Sequence, residues 1–121
     1  MAKAQRFLAA AQDAFQQGHW ETVASRAYYA GYHLIAALLE TRANLSRKLW
    51  RAETLLRDFR ERFTNAGYLF ARRDSQAFDR LKNERYAADY EDALFNERRA
   101  RRVLKDAEDL CNRLLEAVKD A

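Results

Sequence analysis

Proline is absent from this chain and glycine occurs three times in 121 residues. The backbone therefore has almost no residues that break helices or form tight turns, which disfavours a many-turned sheet and favours long helices. Apolar residues make up 49% of the chain, enough for a core, and charged residues 33%. The length suits one domain, 1–121, built around one core.

The apolar spacing marks five helices. The first is expected over Ala2 to Gln17, with Ala4, Phe7, Leu8, Ala11, Ala14 and Phe15 on one face and Gly18 as its stop. The second runs from Trp20 to Thr41. Its apolar residues, from Ala27 and Tyr28 to Leu39, cover roughly 200° of the helical wheel, which marks a central helix with neighbours on most sides. Ser25, Arg26, Tyr29, His33 and Glu40 share the remaining polar stripe. A third helix is expected from a Ser46 cap to near Gly67. Leu45, Leu49, Ala52, Leu56, Phe59 and Phe63 face inward, and Trp50 lies off that face among arginines. A connector, "LFARRDSQ", leads to a fourth helix over Ser75 to Ala88. On its wheel Arg85 falls within about 20° of Phe78, an uncommon place for arginine. The last helix begins between Tyr90 and Asn96 and runs to the end, with Ala100, Val103, Leu104, Ala107, Leu110, Cys111, Leu114, Leu115 and Val118 inward. The predicted architecture is an all-α, up-and-down antiparallel bundle.

Charge and motif content exclude several function classes. The net charge is +4. Residues 1–60 carry nine Lys and Arg against five Asp and Glu, and residues 61–121 carry thirteen of each, so the excess sits in the first half. This balance admits nucleic acid as a partner without requiring it. Cys111 is the only cysteine, so neither an intrachain disulfide nor a multi-cysteine zinc site can form. There is no phosphate-binding glycine loop, GxSxG, HExxH or EF-hand loop. A Cys111–His33 pair fails as a nucleophilic centre because Cys111 lies on an inner face. The carboxylates Asp89, Glu91, Asp92 and Glu97 lack the Glu-x-x-His pairing of di-iron bundles. No metal or cofactor is expected. On the last helix Arg98, Arg101, Arg102 and Lys105 share the outer face with Asp109 and Glu116, the alternation of a solvated surface. No stretch approaches the roughly 20 apolar residues of a membrane span. The N-terminus lacks an apolar run of signal-peptide length, so a cytoplasmic location is expected.

Two constellations remain: the stripe Ser25, Arg26, Tyr29 and His33, and "NERYAADY" with its inward Arg85. Each also has a structural explanation. Buried tyrosines commonly leave the hydroxyl on a partner, and an inward arginine is often the mate of a carboxylate such as Asp89 or Glu40.

Together these segments resemble the HEPN domain (higher eukaryotes and prokaryotes nucleotide-binding), in its stand-alone prokaryotic form. An A-x-R-A-Y-Y-A signature matches Ala24 to Ala30, and an R-x-x-A-D-Y signature matches Arg85 to Tyr90. The resemblance covers nearly the whole chain. It implies an all-α bundle and a homodimer with a shared cleft, and a minimal nucleotidyltransferase as a frequent partner. Active members resembling this chain are metal-independent ribonucleases of toxin–antitoxin pairs that use an R-x4–6-H motif. There arginine holds the scissile phosphate and histidine assists attack by the 2′-hydroxyl. Here the histidine positions hold Tyr90, Glu91 and Asp92. Tyrosine, with an ordinary pKa of about 10, is a weak general base near neutrality. Tyr90 also resembles, with a spacing one residue shorter, a tyrosine that the partner modifies with nucleotide in some toxins of the wider family.

Three readings stand. The first is a module that binds nucleotide, RNA or a nucleotidyltransferase partner without catalysis. The second is a ribonuclease in which Tyr90 or His33 replaces the missing histidine, with Arg85 and Tyr90 as catalytic candidates. The third is a purely structural bundle. The phosphate-binding candidates are Arg85, with Asp89 and Tyr90 positioning it; Ser25, Arg26, Tyr29 and His33 are candidates for the cleft wall or dimer interface.

Overall fold

The computed structural model describes residues 2–45, 50–64, 70–91 and 94–120. The helices are α1 (Ala2–Gln16), α2 (Trp20–Arg42), α3 (Ala52–Phe59), α4 (Arg72–Tyr90) and α5 (Glu97–Asp120), and a π-helical turn over Arg60–Thr64 continues α3. Among the described residues there is no strand.

The three longest helices form the frame, with α2 at its centre touching α1, α3, α4 and α5. Its buried residues include Val23, Ala24, Ala27, Tyr28, Ala30, Gly31, Leu34, Ile35, Leu38 and Leu39, the wide apolar arc that the sequence predicts. Gly31 marks the tightest crossing. A Cβ there would meet Phe78 at 3.2 Å, Leu81 at 3.5 Å and Leu110 at 3.6 Å, so α4 and α5 both close on α2 at this point. The turn between α1 and α2 is a Schellman closure. Gly18 takes φ 76°, its N–H donates to the Phe15 carbonyl at 3.1 Å, and the His19 N–H donates to the Ala14 carbonyl at 2.9 Å.

The third helix is shorter than the periodicity predicts. It starts at Ala52, and the Ser46 cap, Leu49, Arg47 and Gly67 lie outside the described residues. Trp50 is a correction. It precedes the helix, so the helical phase that put it on the arginine side does not apply. It is instead 5% exposed. Its indole N–H donates to Asp58 Oδ2 at 2.9 Å, and its carbonyl accepts the Tyr32 hydroxyl at 2.7 Å. Phe59, Phe63 and Phe70 form an aromatic cluster beneath it in sequence, with ring centroids 5.3–5.8 Å apart.

The fourth helix begins at Arg72, three residues earlier than predicted, because Asp74 caps it. One Asp74 carboxylate oxygen accepts the Ala71 N–H at 3.1 Å, and the other accepts Arg113 Nε of α5 at 2.6 Å. The helix also runs two residues further than predicted, to Tyr90. Helix α5 starts after Asn96, whose Oδ1 accepts the Arg99 N–H at 2.9 Å as an N-cap. Its Ala100, Val103, Ala107, Leu110, Cys111 and Leu114 are buried as expected; Val118's side chain lies outside the described residues. No helix among the described residues is long and apolar enough to cross a membrane.

Candidate functional site

The packing of α4 on α2 brings the two sequence constellations together. Tyr28 and Tyr29 are successive residues of α2, so their side chains leave the helix about 100° apart. Tyr28 points inward and is buried, with its ring 5.6 Å from Phe78; Tyr29 stays partly exposed on the polar stripe. Arg85, two turns beyond Phe78 on α4, lays its guanidinium across both rings. Its Cζ lies 4.9 Å from the Tyr28 centroid and 6.0 Å from the Tyr29 centroid.

Two features define what this guanidinium can do. Its Nε is buried and has no hydrogen-bond partner among the described residues. Its Nη1 donates to Asp89 Oδ2 at 3.2 Å, one turn further along α4. The side chains of Arg85 and Asp89 are 22% and 38% exposed. The guanidinium is thus neither sealed in the core nor fully neutralised. Of its five N–H donors, Nε–H is buried without a partner and one Nη1–H is occupied. Nη2 has no hydrogen-bond partner among the described residues and can donate to an oxygen of a phosphate or carboxylate.

The tyrosines provide walls and no general base. Burial pushes the Tyr28 hydroxyl up to about 12, against the opposing pull of Arg85. Burial also raises Tyr32, whose hydroxyl is committed to the Trp50 carbonyl. Tyr90 stands away from the guanidinium's ring contacts. It is 69% exposed, and its ring lies 5.1 Å from that of Tyr86, itself 54% exposed. With Leu94, 83% exposed, they are the large hydrophobic residues left open to solvent among those described. Glu91 is exposed beyond the helix end, and Asp92 lies outside the described residues.

The rest of the polar stripe continues along α2 beneath α1. Arg26 Nη1 donates to Ser25 Oγ at 3.1 Å. Phe7 of α1 stacks on His33 at 5.1 Å and leans on Tyr29 at 5.5 Å. Burial, and then the charge of Lys3, lower the His33 pKa. Tyr29 therefore touches both Arg85 and, at 6.3 Å, His33. Sequence reasoning missed Tyr28 as a partner of Arg85, and Phe7 and Tyr86 as parts of this surface. The available signals were the Tyr86–Tyr90 spacing of one turn and the inward Arg85 of α4.

No group of three or more metal-ligating side chains occurs among the described residues. Cys111 is buried and its thiol is pushed up to about 11 by that burial, which suits inert packing.

The architecture and both signature segments can be set against known families. A family model described as HEPN domain matches residues 1–118. The chain belongs to the HEPN domain family. No curated protein matches the sequence. Membership supports a general nucleotide- or RNA-related role for this HEPN domain.

Proposed function

We propose that this HEPN domain binds a phosphate group of a nucleotide or of RNA at Arg85, in a cleft completed by a second copy, and leaves the phosphodiester intact. The observation that carries the reading is the half-free guanidinium. It lies against Tyr28 and Tyr29, pairs with Asp89 through Nη1, and leaves Nη2 without a described partner. A group so oriented loses little conformational freedom on binding, which favours affinity.

Stability alone gives weak reason for an arginine here. Cation–π contacts contribute roughly 0.5–2 kcal/mol. An unpaired buried donor costs about 1–3 kcal/mol. The two nearly offset, so a binding role is the better account of the residue.

Catalysis is disfavoured on the same geometry. A ribonuclease needs a proton acceptor beside the phosphate. Tyr28 holds its proton far above neutrality, and His33 and Arg85 have no described contact with each other, each meeting the Tyr29 ring instead. The exposed Tyr86, Tyr90 and Leu94 support pairing of two copies, since large hydrophobic residues grouped in solvent commonly mark an interface. A minimal nucleotidyltransferase is the protein partner this reading admits.

The test is binding of 5′-mononucleotides and mixed RNA to the purified protein and to Arg85→Ala, with the RNA then run on a denaturing gel. Binding that Arg85→Ala abolishes, with RNA intact, is the expected result. RNA cleavage that disappears in Arg85→Ala would replace this reading with the ribonuclease one. Absence of binding by the parent protein would overturn both.

A further inference from the structure

Most arginines on this surface whose guanidinium contacts the structure defines are committed to carboxylates. In the groove between α4 and α5, about 680 Å³, Arg80 grips Asp106 through Nε and Nη2 at 2.9 and 3.1 Å. Arg99 grips Glu84 at 2.9 and 2.8 Å. These hydrogen bonds raise both arginine pKa values, and Asp109 adds a further carboxylate to the lining. That groove carries both signs and offers little net charge to an anion.

The hollow on α1 and α2 is different. It holds about 260 Å³ and is lined by Lys3, Arg6, Phe7, Ala10 and Arg26. Three of these are cations and none is a carboxylate. Lys3, Arg6 and Arg26 have no carboxylate partner among the described residues; Arg26 donates only to Ser25. The first half of the chain carries the whole positive excess of the molecule, and this hollow is one place where it remains unneutralised.

Phe7 joins the hollow to the site described above. Its ring forms one wall of the hollow, stacks on His33 and contacts Tyr29, and Tyr29 contacts Arg85. A line of cations, then partly exposed aromatic rings, then a half-free guanidinium runs across one surface. Nucleic-acid sites for single strands combine these two elements. Cations follow the phosphates, and aromatic faces receive unstacked bases whatever their identity. A duplex keeps its bases stacked and would leave the rings unused.

We propose that the hollow formed by Lys3, Arg6 and Arg26 is a second binding subsite, which takes the backbone of a single-stranded RNA whose neighbouring phosphate occupies Arg85. The inference rests on the Arg85 reading and extends it from a single phosphate to a polynucleotide. The ligand is RNA longer than a mononucleotide, held without strong sequence preference.

The test is fluorescence anisotropy of a labelled single-stranded RNA of about twelve nucleotides, a length within the usual range of such sites. Affinity is measured across a series of salt concentrations, with a 5′-mononucleotide titrated in parallel. For a single strand, removing one cation that neutralises a phosphate lowers the slope of log K against log salt by about 0.7. Arg6→Gln/Arg26→Gln is expected to lower the slope by about 1.4 and weaken RNA binding, with mononucleotide binding unchanged. Lys3→Gln/Arg6→Gln, which changes only exposed side chains, should do the same and covers the case in which the first variant folds poorly. Arg102→Gln/Lys105→Gln, in the mixed-charge groove, should match the parent. If both α1 variants bind RNA with the parent's slope, the subsite is overturned, while loss of mononucleotide binding in Arg85→Ala would leave the Arg85 reading standing. Mononucleotide binding without RNA binding by the parent protein would also overturn it. Failure of the parent to bind either ligand would remove the Arg85 reading as well.

Discussion

At the scale of single residues, Arg85 shows how a charge is held near a core without belonging to it. Its ring contacts favour the position, its unpartnered Nε opposes it, and its pair with Asp89 is a partly exposed i,i+4 contact worth about 0.3–0.5 kcal/mol. Arg85→Ala should therefore change the free energy of unfolding in urea by no more than about 1 kcal/mol, although it removes the proposed ligand contact. A large loss of stability would instead make the residue a structural strut. His33 gives a pH signature. Its pKa in the fold lies below the ordinary value of about 6.5, because burial and Lys3 disfavour the imidazolium. The unfolded chain then binds the proton more readily. The contribution is present above about pH 6.5 and is lost as pH falls through the lowered folded value. The ring is partly exposed, so the loss should stay below about 1 kcal/mol. Urea midpoints measured between pH 7 and 5 should decline less steeply in His33→Gln than in the parent. Arg85 was visible in the sequence as an inward charge, and Asp89 as a carboxylate within reach. Tyr28 was not, because its partner is 57 positions away and periodicity reports a face, not the neighbour that covers it.

At the scale of elements, the long helices were legible and the irregular ones were not. Helices α1 and α2 carry sustained apolar periods and a local stop at Gly18, so their bounds fall within a residue of expectation, while α5, expected to begin between Tyr90 and Asn96, begins at Glu97 after its Asn96 cap. The third helix misled because the wheel put Leu45 on its inner face and Trp50 off it, although neither residue is helical. Both pack on the core from outside the helix, where helical phase has no meaning. The fourth began early because its cap is a carboxylate inside the helix and not a residue ahead of it. Asp74 is 3% exposed and serves Ala71 and Arg113 together. Asp74→Ala should remove the cap and the link from α4 to α5, costing about 2–3 kcal/mol, less than a fully buried pair because Arg113 can rehydrate. Asp74→Asn should recover about half of this, since its amide oxygen can still accept the Ala71 N–H. Thermal unfolding of the two variants against the parent measures both.

At the scale of the whole molecule, α2 is enclosed by α1, α4 and α5 and locked at Gly31, while large hydrophobic groups gather in solvent at one end of α4 and just beyond. On the pairing proposed above, Leu94→Glu places a charge in the interface. It should shift the protein from dimer to monomer in size-exclusion chromatography with light scattering, leaving the helical circular-dichroism signal intact. An unchanged mass would locate the pairing elsewhere. Cys111, enclosed on the inner side of α5, has a different consequence. Its thiol meets an alkylating reagent only when the last helix swings out, so the chain carries its own clock for that opening, and the pace of labelling in native buffer counts how often the bundle comes apart.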